Sequence, residues 1–165
     1  MKDQEITCFF RFDPLTASSE DALKNYIDSS FTNSDQHYAI INQKDTYLGT
    51  VSLKNIDHDQ QQAEFAISSR KCTHGTGINL EAVMLLFQIA FYQLNLNRIY
   101  LNVLSKNGRA ERFYEKAGFK KIPDKHEIVN IHGNAEVLDF FEIYKADFDE
   151  RYLKNADQHF SDRQE

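Results

Sequence analysis

Residues 74–119 decide the fold, and they read HGTGINLEAVMLLFQIAFYQLNLNRIYLNVLSKNGRAERFYEKAGF. A turn containing Gly75 and Gly77 opens this stretch, and a long apolar run over residues 80–94 follows it. Few polar side chains interrupt that run, so it predicts a helix that is buried over most of its circumference. A glycine turn directly before a helix presents several free backbone N–H groups, which makes it a natural phosphate-binding site.

The second half of the stretch predicts a strand and another helix. Residues 98–104, RIYLNVL, are rich in β-branched, aromatic and apolar side chains and predict a short strand. Residues 105–107 are suited to cap a helix that runs to about Lys116, and Gly118 stands where a left-handed residue commonly closes a helix. The order of elements is therefore loop, helix, strand, helix.

Two motifs in this stretch resemble those of the GNAT superfamily of acyl-CoA N-acyltransferases, in particular the branch that acetylates protein N-termini, polyamines and amino sugars. The first motif is Arg or Gln, two residues, Gly, one residue, and Gly or Ala before a helix. The ungapped match puts His74 at the Arg or Gln position, and Asn79 replaces the final small residue. The second motif, Asn-x-Arg-Ala and then Tyr-Glu-Lys-x-Gly-Phe, is matched by Asn107, Arg109, Ala110, Tyr114, Glu115, Lys116, Gly118 and Phe119.

The resemblance implies the GNAT fold, a mixed α/β domain with a central, mostly antiparallel and twisted sheet flanked by helices. It extends more weakly from Ile6 to about Phe148, which indicates a single domain over residues 1–150 and a polar tail over residues 151–165. The residue patterns outside the stretch predict a helix over residues 18–27 and a short strand or irregular piece over residues 120–126. Further strands are predicted over residues 6–12, 37–42, 47–55, 63–68 and 136–145.

The composition is that of a single soluble domain. The chain has 165 residues, enough for a full core, and 41% hydrophobic side chains. Its formal net charge of −6 fits a cationic amine substrate better than nucleic acid, and solubility alone is the alternative explanation of that charge. It has no apolar run long enough to span a membrane and no signal-peptide pattern, so a cytoplasmic location is expected. Cys8 and Cys72 are expected to be free thiols, with a disulfide between them left open. The histidines form no ligand cluster, and no metal is predicted.

The resemblance implies acetyl-CoA as the co-substrate. The residues expected to bind it lie in the turn, at the start of the first helix, on the predicted strand 63–68 and at the cap of the second helix: Ile67, His74, Gly75, Thr76, Gly77, Ile78, Asn79 and Asn107. The backbone N–H of Ile67 is expected to hold the thioester carbonyl, and Asn107 is expected to cap its helix, to bind the pantetheine arm, or both. Arg109 and Arg112 either meet the adenosine phosphates or are solvated, with solvation favoured for Arg112.

Two side chains are candidates for proton transfer. Tyr114 matches the tyrosine that lies beside the CoA sulfur in the family, where its phenol can protonate the departing thiolate; a packed aromatic residue is the alternative. Glu64 is the candidate base, acting through a water molecule. Its strand turns it away from Ala63, Phe65 and Ile67, and the resemblance implies the role, because a glutamate often stands at this strand position in the family. The alternative for Glu64 is an exposed cross-strand pair.

The function implied is direct transfer of an acetyl group from acetyl-CoA to a primary amine, by a monomer or homodimer. The acceptor is a small-molecule amine, an amino sugar or a protein N-terminus, and its specificity is expected to reside in residues 15–36 and 123–134, the most irregular parts of the sequence. A non-catalytic acyl-CoA-binding or regulatory module on the same fold is the alternative.

Overall fold

The computed structural model describes residues 21, 24, 35–131 and 133–151. The predicted strand over residues 6–12 and Cys8 lie outside these residues. Most of the predicted helix over residues 18–27 also lies outside them, but Asp21 and Lys24 are described and both are helical. Of the predicted tail, the structure describes Arg151 alone.

Six strands of the described chain form one sheet in the order β1-β2-β3-β4-β6-β5. Four of the five neighbouring pairs are antiparallel, and β3 and β4 run parallel. The predicted mixed α/β fold with a mostly antiparallel sheet is therefore confirmed. The strands are β1 (Gln36–Ile41), β2 (Tyr47–Asp57), β3 (Gln62–Ser69), β4 (Arg98–Leu104), β5 (Lys120–Ile131) and β6 (Asn134–Tyr144).

The strand β5 is longer than the short or irregular piece predicted over residues 120–126. It pairs with β6 on both sides of a break in register between Lys121 and His126. Pro123 lies in that break, where its missing N–H removes no hydrogen bond from the sheet. Asp124, with a φ of 57°, also lies there. The irregularity suggested by the sequence is therefore a break in register within a longer strand.

Two helices connect the strands around the central stretch. A short 3-10 turn (Lys71–Thr73) leads to α1 (Ile78–Gln88), which continues into a π-helical turn (Ile89–Gln93). The helix predicted over residues 80–94 is thus an α-helix with a wider last turn. The second helix, α2 (Gly108–Ala117), ends at Gly118, whose φ of 107° is the left-handed conformation expected there.

The core lies on one face of the sheet, beneath α1 and α2, and is built largely of phenylalanine rings. Phe65 of β3, Phe87 of α1 and Phe141 of β6 are all buried. Phe148, in the helical residues 145–151, is buried in the same core and lies 5.7 Å from the Phe87 ring. The chain beyond the last strand thus still belongs to the packed domain.

The described residues contain no helix that is long and apolar enough to cross a membrane. Within the same residues there is no group of three or more His, Cys, Asp or Glu side chains that could hold a metal ion. Cys72 is a free and exposed thiol.

Candidate active site

The sheet opens into a fork between its two parallel strands. β3 and β4 are paired over three positions, residues 62–64 with residues 98–100. Both strands continue beyond that point and stay paired on their outer sides, β3 with β2 as far as Ser69 and β4 with β6 as far as Leu104. The two strands therefore diverge, and their inner edges face each other across a gap.

The fork forms part of a cleft with a volume of about 850 Å³. Its walls are the end of β3, the turn before α1, the first residues of α1, the end of β4 and one side of α2. Seven of the predicted site residues line it: Ile67, His74, Gly75, Gly77, Asn79, Asn107 and Tyr114. Thr76 and Ile78 belong to the same turn and helix start but are not among the lining residues, and neither is Glu64.

The two glycines of the turn are required by backbone conformation. Gly75 and Gly77 have φ angles of 77° and 88°, which glycine adopts at little cost and other residues rarely do. A Cβ atom at either position would meet no other atom within 4 Å, so crowding does not explain them. Gly77 is the N-cap of α1, and the N–H groups of the first turn of a helix have no partner inside it. Within the turn, the N–H of Thr76 donates to the carbonyl of Thr73 over 3.3 Å and that of Ile78 to Oγ1 of Thr76 over 3.4 Å. The donors left at the wall of the cleft are therefore the N–H groups of Gly75, Gly77 and Asn79.

Asn79 ties the start of α1 to the end of β3. Its Nδ2 donates a hydrogen bond to Oγ of Ser69 over 2.9 Å. Its Oδ1 is buried and has no hydrogen-bond partner. The residue that departs from the small side chain of the family motif thus links two walls of the cleft.

Asn107 caps α2, as predicted. Its Oδ1 accepts a hydrogen bond from the N–H of Ala110 over 3.2 Å. The cap uses the carbonyl oxygen of the amide, and Asn107 also lines the cleft. Binding of the pantetheine arm by the amide NH₂ group remains a prediction.

Tyr114 lies among aromatic rings at the wall of the cleft. Its ring centroid is 6.1 Å from that of Phe65, 5.9 Å from that of Phe119 and 6.2 Å from that of Phe141. Burial in this apolar surrounding raises the pKa of the Tyr114 phenol to about 12, because the phenolate would lose its hydration. Tyr114 is both a packed aromatic residue and a protonated phenol at the cleft.

Glu64 lies at the base of the fork on the other face of the sheet. It accepts a hydrogen bond from Nδ2 of Asn55 over 2.8 Å, and it is paired in register with Tyr100 of β4. Burial and, next, the Glu64 carboxylate raise the pKa of the Tyr100 phenol, while Arg98 opposes the shift. Glu64 and Tyr114 therefore lie on opposite faces of the sheet. The gap between the diverging strands β3 and β4 connects the two faces.

Sequence reasoning missed the cationic character of the cleft. Four of the residues that line the cleft are cations: Lys106, Arg109, Arg112 and Lys116. The lining contains no Asp or Glu. Arg112, for which solvation was favoured, is exposed and lines the cleft as well. The sequence carried a signal for this feature. The cations at positions 109, 112 and 116 are three and four residues apart, which puts them on one side of a helix. Asn55 and Tyr100, which flank Glu64, were also missed.

Comparison with known proteins agrees with this architecture. The family model for the acetyltransferase (GNAT) domain matches residues 1–120. The chain is 38% identical over 99 residues to the probable N-acetyltransferase YjcK of Bacillus subtilis, an alignment that covers 59% of this chain and 55% of that protein. It is 26% identical over 112 residues to a spermidine N(1)-acetyltransferase of Vibrio cholerae, covering 68% of this chain and 64% of that protein. The chain therefore spans just over half to about two thirds of the length of these relatives.

A solved structure shares the fold. Spermidine N-acetyltransferase from Vibrio cholerae in complex with CoA and spermine superposes with a TM-score of 0.77 and 23% sequence identity, over 88% of this chain and 86% of that chain. At this level of identity the likeness concerns the fold alone.

Proposed function

The chain belongs to the acetyltransferase (GNAT) family, and from that premise we propose that it transfers an acetyl group from acetyl-CoA to a primary amine. One observation carries the proposal. A cleft with four cations and no carboxylate in its lining reaches the fork in the sheet, and the protonated phenol of Tyr114 lines its wall. The cations suit the phosphates of the donor, and the phenol suits a departing thiolate.

In the proposed complex the phosphates of CoA lie at the turn and the thioester lies at the fork. The pyrophosphate accepts hydrogen bonds from the N–H groups of Gly75 and Gly77 in the turn and of Asn79, which follows Ile78 in the first turn of α1. His74 and Thr76 complete this end of the site, Thr76 by fixing the turn through the bonds that its N–H and its hydroxyl donate to the Thr73 carbonyl. Asn107 binds the pantetheine arm. The N–H of Ile67 holds the thioester carbonyl where negative charge develops.

The proposed reaction is a direct attack by the amine. The amine must first lose a proton, because an alkyl ammonium group has a pKa of about 10, and Glu64 takes that proton through a water molecule. The neutral nitrogen attacks the carbonyl carbon through the fork and releases a further proton to water, and the C–S bond breaks as the tetrahedral intermediate collapses. Tyr114 gives its proton to the leaving sulfur, which departs as the CoA thiol. The base and the acid thus act from opposite faces of the sheet.

For the acceptor we propose a small polyamine-like cation. The supports are the formal net charge of −6, the two carboxylates Glu64 and Glu142 on the face opposite the helices, and the relatives named spermidine N(1)-acetyltransferase. Glu142 is bonded to Arg98 over 2.8 Å, which leaves Glu64 to meet the acceptor. We further propose that the enzyme acts in the cytoplasm as a monomer or homodimer and needs no metal.

Release of free thiol from acetyl-CoA tests the proposal. Purified protein is mixed with acetyl-CoA and, in turn, with a polyamine, an amino sugar and a peptide with a free N-terminus. We expect the fastest release with the polyamine. A faster reaction with either of the other two acceptors would contradict the proposed substrate class. Binding of acetyl-CoA without thiol release for any acceptor would favour a non-catalytic acyl-CoA-binding module.

A further inference from the structure

The charge of the cleft is opposite to that of the chain. The lining contains the four cations named above and no Asp or Glu, whereas the whole chain has a formal net charge of −6. A local reversal of this kind raises the concentration of anions at a site and speeds their association.

Three of the four cations form a stripe along α2, which we call the cationic stripe: Arg109, Arg112 and Lys116. Their spacing puts them on one side of the helix, over a length of about 10 Å at 1.5 Å per residue. Like charges three and four residues apart destabilise a helix. None of the three has a carboxylate partner among the described residues, whereas Lys106 is paired with Glu136. Their mutual repulsion is therefore not relieved by an ion pair within the described chain.

One end of the cationic stripe lies at the glycine turn. Nη2 of Arg109 lies 2.5 Å from Nδ1 and 2.7 Å from Nε2 of the His74 ring, and His74 directly precedes Gly75. Arg112 and Lys116 follow about one and two helical turns farther along α2. The stripe thus begins beside the expected pyrophosphate position and continues away from it.

We infer that the cationic stripe selects the donor by its phosphate groups. Arg109 joins the glycine turn in binding the pyrophosphate of CoA. Arg112 and Lys116 bind the phosphate on the 3′ oxygen of the CoA ribose through charge-assisted hydrogen bonds. The inference rests on the proposed use of CoA. Its consequence is that the protein distinguishes CoA from dephospho-CoA, which differs by that phosphate alone.

Calorimetric titration with CoA, dephospho-CoA and pantetheine tests the inference. The proteins compared are the wild type, Arg109→Gln, the double variant Arg112→Gln/Lys116→Gln, and Lys44→Gln as a control. Lys44 is an exposed cation in the turn between β1 and β2, outside the cleft. All three changes replace a cation by a neutral amide of comparable shape. Relief of like-charge repulsion should leave the melting temperature of the stripe variants equal to or above that of the wild type.

Each variant has its own expected pattern. Arg109→Gln should weaken CoA and dephospho-CoA alike, by about tenfold, the scale of an exposed charge-assisted hydrogen bond. The double variant should weaken CoA by about tenfold or more and leave dephospho-CoA unchanged, because only CoA carries the 3′-phosphate. Pantetheine, which has no phosphate, should bind all four proteins equally, and Lys44→Gln should behave as the wild type.

The possible failures separate the inference from its premise. A wild type that does not bind CoA would overturn the proposed function itself. A wild type that binds CoA, together with stripe variants that keep its affinity and its preference over dephospho-CoA, would overturn the inference alone. A double variant that weakens both ligands equally would refute the assignment of Arg112 and Lys116 to the 3′-phosphate.

Discussion

The two faces of the sheet at the fork carry opposite kinds of side chain. On the face beneath the helices, Tyr114 lies among phenylalanine rings and its phenol has a pKa of about 12. On the other face, the Glu64 carboxylate accepts a hydrogen bond from an amide and stands beside Tyr100. Phe65 and Glu64 are consecutive in β3, so the alternation of a strand is enough to divide the two environments.

This difference separates two requirements of acyl transfer that conflict in a single environment. An acid must keep its proton until the thiolate departs, and an apolar surrounding favours its neutral form. A base must meet a cationic amine, and polar surroundings such as the Asn55 amide beside Glu64 suit a charged group. In the proposed mechanism, the substrate reaches both surroundings through the gap between β3 and β4.

The largest effect is expected for Tyr114→Phe. The substitution keeps the ring and its packing but removes the proton that the side chain can give. Turnover should fall by about ten- to a thousandfold, as for the loss of a general acid, while the dissociation constant of CoA stays the same. Thiol release and calorimetric titration measure the two quantities.

Tyr92→Phe is the matched control for Tyr114→Phe. Tyr92 donates its hydrogen bond to Asp149 over 2.6 Å and does not line the cleft, so turnover should be unchanged. Equal activity of Tyr114→Phe and wild type would show that the protonated phenol plays no part in the reaction.

A raised pKa of the Tyr114 phenol is also expected to appear in an alkaline titration of the protein. Tyr114 should ionise near pH 12, about a hundredfold weaker as an acid than a free tyrosine of pKa about 10. Since the folded pKa is raised, the native state binds the proton more tightly than the unfolded chain, and this contribution to stability is full below pH 10 and is lost as the pH rises through 12. The ionisation of tyrosine is followed by its absorbance in the wild type and in Tyr114→Phe. The wild type should show one additional tyrosine that ionises near pH 12. If the tyrosine that is lost in Tyr114→Phe ionises near pH 10 instead, the Tyr114 phenol is not buried.

A smaller and pH-dependent effect is expected for Glu64→Gln. At low pH, where little neutral amine exists, the rate should fall by about tenfold or more. The loss should be smallest at high pH, where the amine loses its proton without help. The pH profile of thiol release checks this, with Glu127→Gln on the exposed part of β5 as the control. A uniform loss at every pH would mean that Glu64 positions the acceptor and does not take its proton.

The smallest effect is expected for Tyr100→Phe, the same chemical change as Tyr114→Phe on the opposite face. Tyr100 stands beside Glu64 and contributes at most one neutral hydrogen bond there, so turnover should fall no more than about fivefold, equivalent to ~1 kcal/mol. A loss as large as that of Tyr114→Phe would erase the functional contrast between the two faces. The ratio of the two rates measures that contrast directly.

Local patterns predicted most of the described elements. The apolar run before Leu94, the alternation around Phe65 and the cap at Asn107 each depend on side chains that lie close together in the sequence. The resemblance to GNAT proteins then predicted that the glycine turn and Tyr114 lie at one site. In the structure, Gly75, Gly77 and Tyr114 line the same cleft.

The fork and the partners of the site residues could not be predicted in this way. Whether β3 and β4 part after three pairs depends on contacts between segments about 35 residues apart. The contact between His74 and Arg109 also spans 35 residues, and the pairing of Glu64 with Tyr100 spans a comparable distance. The spacing within the cationic stripe is visible in the sequence, but the side of α2 that faces the cleft is set by tertiary packing.

The fork also has a consequence for the order of folding. Among the described strands, β1, β2 and β3 join through tight turns, and so do β5 and β6, so these antiparallel groups close only short loops. The two groups meet in the sheet only through β4, which pairs with β3 over residues 62–64 and 98–100 and with β6 along its whole length. Both pairings close loops of about 35 residues or more. Since longer closures delay folding, we expect each group to form early and the two joins through β4 to form late. The cleft would then be absent from every species before those joins form, and a bound donor that touches both groups would slow unfolding by holding the joins together.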